Sequence, residues 1–91
     1  MIRQITKPRF NIPDNMAAAW HGRAWYATDD NTILGVVAGL VGNGFKWVVL
    51  TESDLGAGFM AIDTGTSLSK EDATASLHDA MRFAHGLDRR H

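Results

Sequence analysis

Two groups of side chains in this sequence are of types that could do chemistry. The first is Asp63, in the string Asp63-Thr64-Gly65-Thr66-Ser67. A carboxylate can serve as a general acid or base when its surroundings adjust its pKa. The second is a polar and aromatic cluster in which an arginine could clamp a carboxylate. Its members are Trp20, His21, Arg23 and Trp25.

The string from Asp63 to Ser67 resembles the signature around the catalytic aspartate of aspartic proteases. That family uses two such aspartates sharing one proton, so a chain with one copy would have to dimerise. It would also need a flap hairpin after the motif, whereas residues 64–91 have a largely helical pattern. We therefore expect no peptidase and no catalytic residue. We interpret Ala61 to Asp63 as a strand end and Thr64 to Leu68 as the turn that follows it.

The histidines do not form a recognisable metal site. His78 and His85 lie two turns apart on a predicted helix, whereas helical zinc ligands are usually one turn apart. The glycine-rich run Gly39–Gly44 leads into a strand, not a helix, so it predicts a hairpin turn instead of a phosphate-binding loop. We expect no metal and no cofactor.

Size and charge narrow the class of protein. The chain has 91 residues, which is one domain covering residues 1–91, and it has no cysteine and a net charge of −1. No apolar signal-peptide core follows Met1, and the run Ile33–Val41 is too short to span a membrane. We expect a cytoplasmic protein with no membrane partner. Nucleic-acid binding is not expected, because the basic residues lie mostly at the two ends: Arg3, Lys7, Arg9, Arg89 and Arg90.

The residue pattern predicts an α+β fold. Residues 1–13 contain both prolines and predict an extended N-terminal arm, and Pro13 to Gly22 predicts a short helix. Three to four antiparallel strands follow as a meander, at about 23–28, 32–41, 45–51 and 59–63, because each connection is short. A C-terminal helix is predicted at about 70–85, packed on one face of the sheet.

Local signals predict how the C-terminal helix begins and ends. Ser69 is predicted as the N-cap, with Glu71 and Asp72 in the first turn. Leu68 is predicted to pack against Ala73 as a hydrophobic staple. Gly86 is predicted to follow the last helical turn as a C′ glycine.

The order of short helix, antiparallel strands and closing helix resembles that of the double-stranded RNA-binding domain. The segment 69–81 falls where that family carries its second helix. The resemblance implies RNA binding through a lysine-rich start of this helix. Here Lys70 is followed by Glu71 and Asp72, so the basic contact residues of that family have no counterpart.

Both faces of the predicted sheet are apolar. Phe45, Trp47 and Val49 share one face, while Val48 and Leu50 share the other. One helix covers one face, and the other face needs either the N-terminal arm and short helix or a second molecule. The sequence leaves these alternatives open.

We therefore predict a small protein-interaction module, of the adaptor or inhibitor type that phages and mobile elements encode. It would use an apolar sheet face or an open sheet edge to form a homodimer or to bind a protein partner. The alternatives are a small-ligand-binding protein or enzyme with a pocket near Trp20–Trp25, and an RNA- or DNA-binding protein. The predicted ligand- or partner-binding residues are Trp20, His21, Arg23, Trp25, Tyr26, Phe45 and Trp47.

Overall fold

The computed structural model describes residues 2–6, 20–40, 42–52 and 59–88, and these form a five-stranded antiparallel sheet with one helix on it. The sheet order follows the chain order, so the strands form a meander. This confirms the predicted α+β class. The strands are β1 (Ile2–Ile5), β2 (Trp20–Thr28), β3 (Ile33–Leu40), β4 (Phe45–Glu52) and β5 (Phe59–Ser67), and the helix is α1 (Lys70–Asp88).

The N-terminal part of the sheet differs from the prediction. β1 was predicted as part of an arm, but it pairs with β2, with Ile2 opposite Thr28. Trp20 to Gly22 was predicted to end a helix, but it begins β2. Gly22 has a φ of 59°. A positive φ is found both at helix C′ positions and at strand bulges. Here the β2–β3 register shifts between His21 and Ala24, so Gly22 lies at a bulge. Residues 7–19, with the rest of the predicted arm and short helix, lie outside the described residues.

The first two predicted turns are confirmed as hairpins. Asn31 has a φ of 60°, and its amide donates to the Thr28 carbonyl at 2.9 Å. The Asp30 Oδ1 atom accepts bonds from the Thr28 hydroxyl at 2.9 Å and from the Thr32 hydroxyl at 2.8 Å, which fixes this turn. At the second hairpin, Gly44 has a φ of 88° and its carbonyl accepts the Leu40 amide.

The predicted end of β5 is wrong, because the strand continues through the whole Asp63–Ser67 string. Gly65 pairs with Trp47, and Ser67 pairs with Phe45. A Cβ atom on Gly65 would lie 2.5 Å from Cζ2 of Trp47. The indole ring therefore rests directly on the glycine backbone, and the string is a strand whose glycine accommodates Trp47.

One face of the sheet, which we call the helix-covered face, packs against α1. The buried side chains of this contact are Ile33, Val37 and Val49 of the sheet and Ala73, Leu77 and Met81 of α1. Gly35 lets the helix approach, because a Cβ atom there would lie 2.6 Å from Sδ of Met81. The predicted alternation along β4 is confirmed, with Trp47 and Val49 on this face.

The opposite face is also apolar and also buried. Its members are between 0 and 8% exposed: Trp25, Ala27, Leu34, Val36, Val48 and Leu50. Ile5 of β1 packs against them. Since these side chains are buried within a single chain, they offer no open apolar surface. The N-terminal arm and short helix were one of two expected covers of this face, and residues 7–19 of that segment lie outside the described residues.

The start of α1 agrees with the prediction, except for the staple. The Asp72 amide donates to Oγ of Ser69 at 3.1 Å, which confirms Ser69 as the N-cap. Leu68 is 92% exposed, whereas Ala73 is buried. The predicted staple between them is therefore wrong, because Leu68 points away from the helix.

The helix is longer than predicted and ends at Asp88. Gly86 lies inside it instead of after it, with open space where a Cβ atom would be. Within the described ranges, no helix combines the length and apolar character that a membrane span requires.

Replacing Ser69 with alanine is expected to lower the free energy of unfolding by about 1 kcal/mol, because the Asp72 amide loses its acceptor. Urea denaturation followed by circular dichroism measures this change. Ser69→Asp is the matched control, since aspartate also caps helices and should retain most of the stability. Equal losses in both variants would show that the cap bond is not what Ser69 contributes.

Candidate binding surface

The structure separates the predicted binding residues of β2. Trp25 is buried on the opposite face, whereas its neighbour Tyr26 is half-buried on the helix-covered face, 4.9 Å from the ring of His78. Arg23 is exposed beside the bulge. The backbones of Trp20 and His21 pair with Leu40 and Gly39, and their side chains lie outside what the structure describes. Trp25 and Tyr26 therefore do not share a surface.

Phe45 and Trp47 lie together, on the strand next to β5. Both side chains are half-buried against the helix-covered face. Phe45 also lines an open pocket of about 260 Å³ at the C-terminal end of β5. The other lining residues are Leu40, Asn43, Gly44, Thr66, Ser67 and Leu68. These two predicted residues therefore lie next to the exposed surface of β5.

That surface is the outer side of β5, which we call the β5 edge. Within the described residues β5 pairs only with β4, and all its described side chains, from Met60 to Ser67, are exposed or half-buried. An edge strand presents unpaired backbone amides and carbonyls, which are a template for pairing with another chain. β1, the other edge of the sheet, has 4 residues, whereas β5 has 9.

Exposed apolar side chains cluster at the β5 edge. Met60 is 51% exposed and Ile62 is 41% exposed, and Leu68 directly follows the strand. Phe83 of α1 is 69% exposed. His78 and His85, on the far side of the helix from Phe83, contact Tyr26 and Asp30, so Phe83 faces away from β2 and towards β5. Patches of this kind mark protein interfaces.

Sequence reasoning missed Met60, Ile62, Leu68 and Phe83 as surface residues. The predicted meander already made its last strand an edge, but none of these four side chains was among the predicted binding residues. One signal was available: β5 contains neither lysine nor proline, the residues with which proteins commonly block an exposed edge.

A bulge shapes the middle of β5. Asp63 pairs with Val49 and Ala61 pairs with Leu50, so Ile62 is the extra residue. The Asp63 carboxylate accepts the Thr64 amide at 2.9 Å, and the Thr64 hydroxyl donates to the Trp47 carbonyl at 2.8 Å. Asp63 therefore stabilises the local backbone of the edge. Bulges re-aim side chains and recur beside functional sites.

Asp30 and His85 join the helix to the β2–β3 hairpin. Nε2 of His85 lies 2.9 Å from Oδ2 of Asp30. The hydrogen bond with His85 holds the pKa of Asp30 well below its ordinary value, the hydroxyl of Thr32 lowers it further, and burial opposes both slightly. The pair fastens the C-terminal half of α1 to the β2–β3 hairpin, and within the described residues no third metal ligand accompanies it.

His78 is the other perturbed group. Its Nε2 atom is buried and has no hydrogen-bond partner among the described residues. Burial lowers the pKa of His78 below its ordinary value of 6.5, and the nearby charge of Arg82 lowers it further, while Asp79 opposes the shift. The ring of Tyr26 contacts the imidazole edge-on from β2, and the folded protein favours the neutral form of His78 more than the unfolded chain does.

The free energy of unfolding is expected to fall as the pH drops from 7 to 5, because of His78. Its folded pKa lies below its unfolded pKa, so below about pH 6.5 the unfolded chain binds a proton that the folded chain resists. His78→Phe keeps a ring against Tyr26 and should flatten this dependence. Urea titrations at several pH values measure both proteins.

The matched control for this pH series is Leu68→Phe, which adds a ring at an exposed position and removes no titratable group. It should keep the wild-type slope between pH 7 and 5. A slope between pH 7 and 5 that is identical in wild type and His78→Phe would refute the role assigned to His78.

Metal and nucleic-acid binding find no support among the described residues. In them, no three histidine, aspartate or glutamate side chains are placed to hold a metal ion. Of the basic residues near the two ends, Arg3 is described, and its guanidinium donates to the side chain of Asn31. Comparison of the chain with protein families, with curated proteins and with solved structures finds no match.

Proposed function

We propose that this protein is a small interaction module, of the adaptor or inhibitor type, that binds another protein chain through the β5 edge. The observation that carries the proposal is the exposure of β5: a strand of 9 residues, paired on one side only within the described residues, with no described side chain buried. The exposed side chains of Met60, Ile62, Leu68 and Phe83 extend this surface.

Strand addition is the binding mode that such a surface supports. A partner strand would form main-chain hydrogen bonds with β5, which supply affinity, while side chains beside the ladder supply specificity. Met60 and Phe83 lie on the helix side of the edge and would bury apolar area against the partner. The open pocket beside Leu68 would receive a partner side chain.

The edge is favoured over the sheet faces as the binding surface. Most apolar side chains of both faces are already buried within one chain, including Trp25 at 8% and Val49 at 0% exposed, and Tyr26, Phe45 and Trp47 are half-buried. A partner that used either face would first have to displace this packing. β5 needs no such rearrangement, because its side chains are already in solvent.

A charge placed on the edge tests the proposal. Ile62→Lys introduces a charged side chain at the exposed centre of β5, a device by which natural edge strands resist pairing. Ala75→Lys adds the same charge on the exposed side of α1 and is the matched control. Tagged copies of each are incubated with untagged protein and with lysate of the source cells, and the captured chains are identified by mass spectrometry.

We expect wild type and Ala75→Lys to capture the same chain, either another copy or a different protein, and Ile62→Lys to lose it. Hydrogen exchange of the captured complex should show protection over β5. Capture that Ile62→Lys retains, or protection that falls only on other elements, would contradict the proposal.

A further inference from the structure

The two ends of β5 have complementary shapes. The N-terminal half projects the exposed apolar side chains of Met60 and Ile62. The C-terminal end borders the open pocket of about 260 Å³, beside which Leu68 lies almost fully exposed. An apolar projection at one end of the strand thus matches a concave, partly apolar surface at the other.

Antiparallel pairing about a two-fold axis would bring these ends together twice. In such a ladder the two strands run in opposite directions, so Ile62 of each copy approaches the C-terminal end of its twin, and the same surface serves both copies. We propose that β5 pairs with β5 of a second copy of this chain, so that the two sheets become continuous. This inference deepens the proposed function and rests on it.

The side chains favour one register, centred on Gly65. In that register Ile62 lies opposite Leu68 of the second copy, and Thr64 lies opposite Thr66, so apolar residues meet apolar residues and hydroxyls meet hydroxyls. Asp63 lies opposite Ser67. A register centred on Asp63 would instead place two carboxylates directly opposite each other, which is destabilising.

The lengths of the two edges favour a closed dimer over a chain of copies. Head-to-tail growth would pair β5 with β1 of the next molecule, but β5 has 9 residues and β1 has 4. More than half of β5 would remain unpaired in that arrangement. In the Gly65-centred register residues 63–67 of each copy pair, one residue more than β1 could pair, and the two-fold contact closes on itself instead of leaving a β5 edge for further growth.

The absence of cysteine from the chain makes a clean cross-linking test possible. Ile62→Cys and a mass-tagged Leu68→Cys are mixed and oxidised mildly. Residues directly opposite each other in an antiparallel ladder have Cα atoms about 4.5–5.5 Å apart, which suits a disulfide. Leu68 of the second copy lies opposite Ile62, which is six residues from Leu68 of the first copy. The two copies of Leu68 would therefore be about 20 Å apart at about 3.3 Å per residue, so Leu68→Cys alone should not cross-link.

The expected result is a mixed disulfide between the two variants, severalfold more abundant than with the control pair of Ile62→Cys and Glu71→Cys. Light scattering on the wild-type protein should give twice the mass of one chain. A mixed disulfide no more abundant than the control would overturn the Gly65-centred register, and a wild-type monomer would overturn self-pairing. A monomer that binds a different protein through β5 would overturn this inference while the proposed function stands.

Discussion

Replacing Leu77 with alanine is expected to lower the free energy of unfolding by about 2–5 kcal/mol, the range for truncating a fully buried leucine. Leu77 is completely buried in the cluster that joins α1 to β3 and β4. Its methyl groups lie against the backbone of Gly35, so their removal leaves a cavity under the helix. Chemical denaturation monitored by tryptophan fluorescence measures the loss.

Leu68→Ala is the matched control, since it is the same substitution at a side chain in solvent. Its effect on the free energy of unfolding of the dilute protein should stay within about 0.5 kcal/mol. If Leu77→Ala were as mild as Leu68→Ala, the packing of α1 on the sheet would not be the one described.

Gly65→Ala is expected to lower the free energy of unfolding by about 1–3 kcal/mol, the usual cost of overpacking. The new Cβ atom would lie 2.5 Å from Cζ2 and 2.6 Å from Cε2 of Trp47. A rigid indole can relieve that contact only by rotating away from β5. The same substitution at Gly35 meets the flexible ends of Met81 and Leu77, which can adjust more easily.

Gly86→Ala is the control for the glycine series. It lies in α1 with open space around it, so alanine there should stabilise the protein by about 0.5–1 kcal/mol. A double-mutant cycle with Trp47→Leu gives the decisive comparison. The cost of Gly65→Ala should shrink markedly once the indole is absent, and a cost that is unchanged would refute the contact between Trp47 and Gly65.

Much of the C-terminal half of the fold could be predicted from the sequence. The alternation of Phe45, Trp47 and Val49 defined the helix-covered face correctly, because strand periodicity is a local property. Ser69 defined the start of α1 for the same reason: a cap depends on the few residues that follow it.

The errors fall where distant segments decide the structure. β1 exists because it pairs with β2, which no pattern inside residues 2–5 could reveal. Gly22 and Gly86 both resembled helix ends, but one lies at a bulge and the other lies inside α1. The Asp63–Ser67 string remained a strand because β4 pairs with it and Trp47 packs on Gly65.

The candidate surface was harder to predict than the fold, for a related reason. The sequence directed attention to the tryptophans, but Trp25 is buried and Trp47 is half-covered. Which strand is an edge is a property of the whole sheet. The predicted meander already put the strand at about 59–63 at an edge, but it did not give how far Met60 and Ile62 are exposed, which also depends on where α1 lies across the sheet.

The central claim is that the β5 edge is where this protein binds another chain. Hydrogen exchange of the backbone amides over residues 59–67, in the free protein and in its complex, tests this most directly. We expect the amides on the outer side of β5, which do not bond to β4, to exchange rapidly in dilute free protein and slowly in the complex, while β1 is unchanged. Amides of β5 that exchange equally fast in both states would contradict the claim.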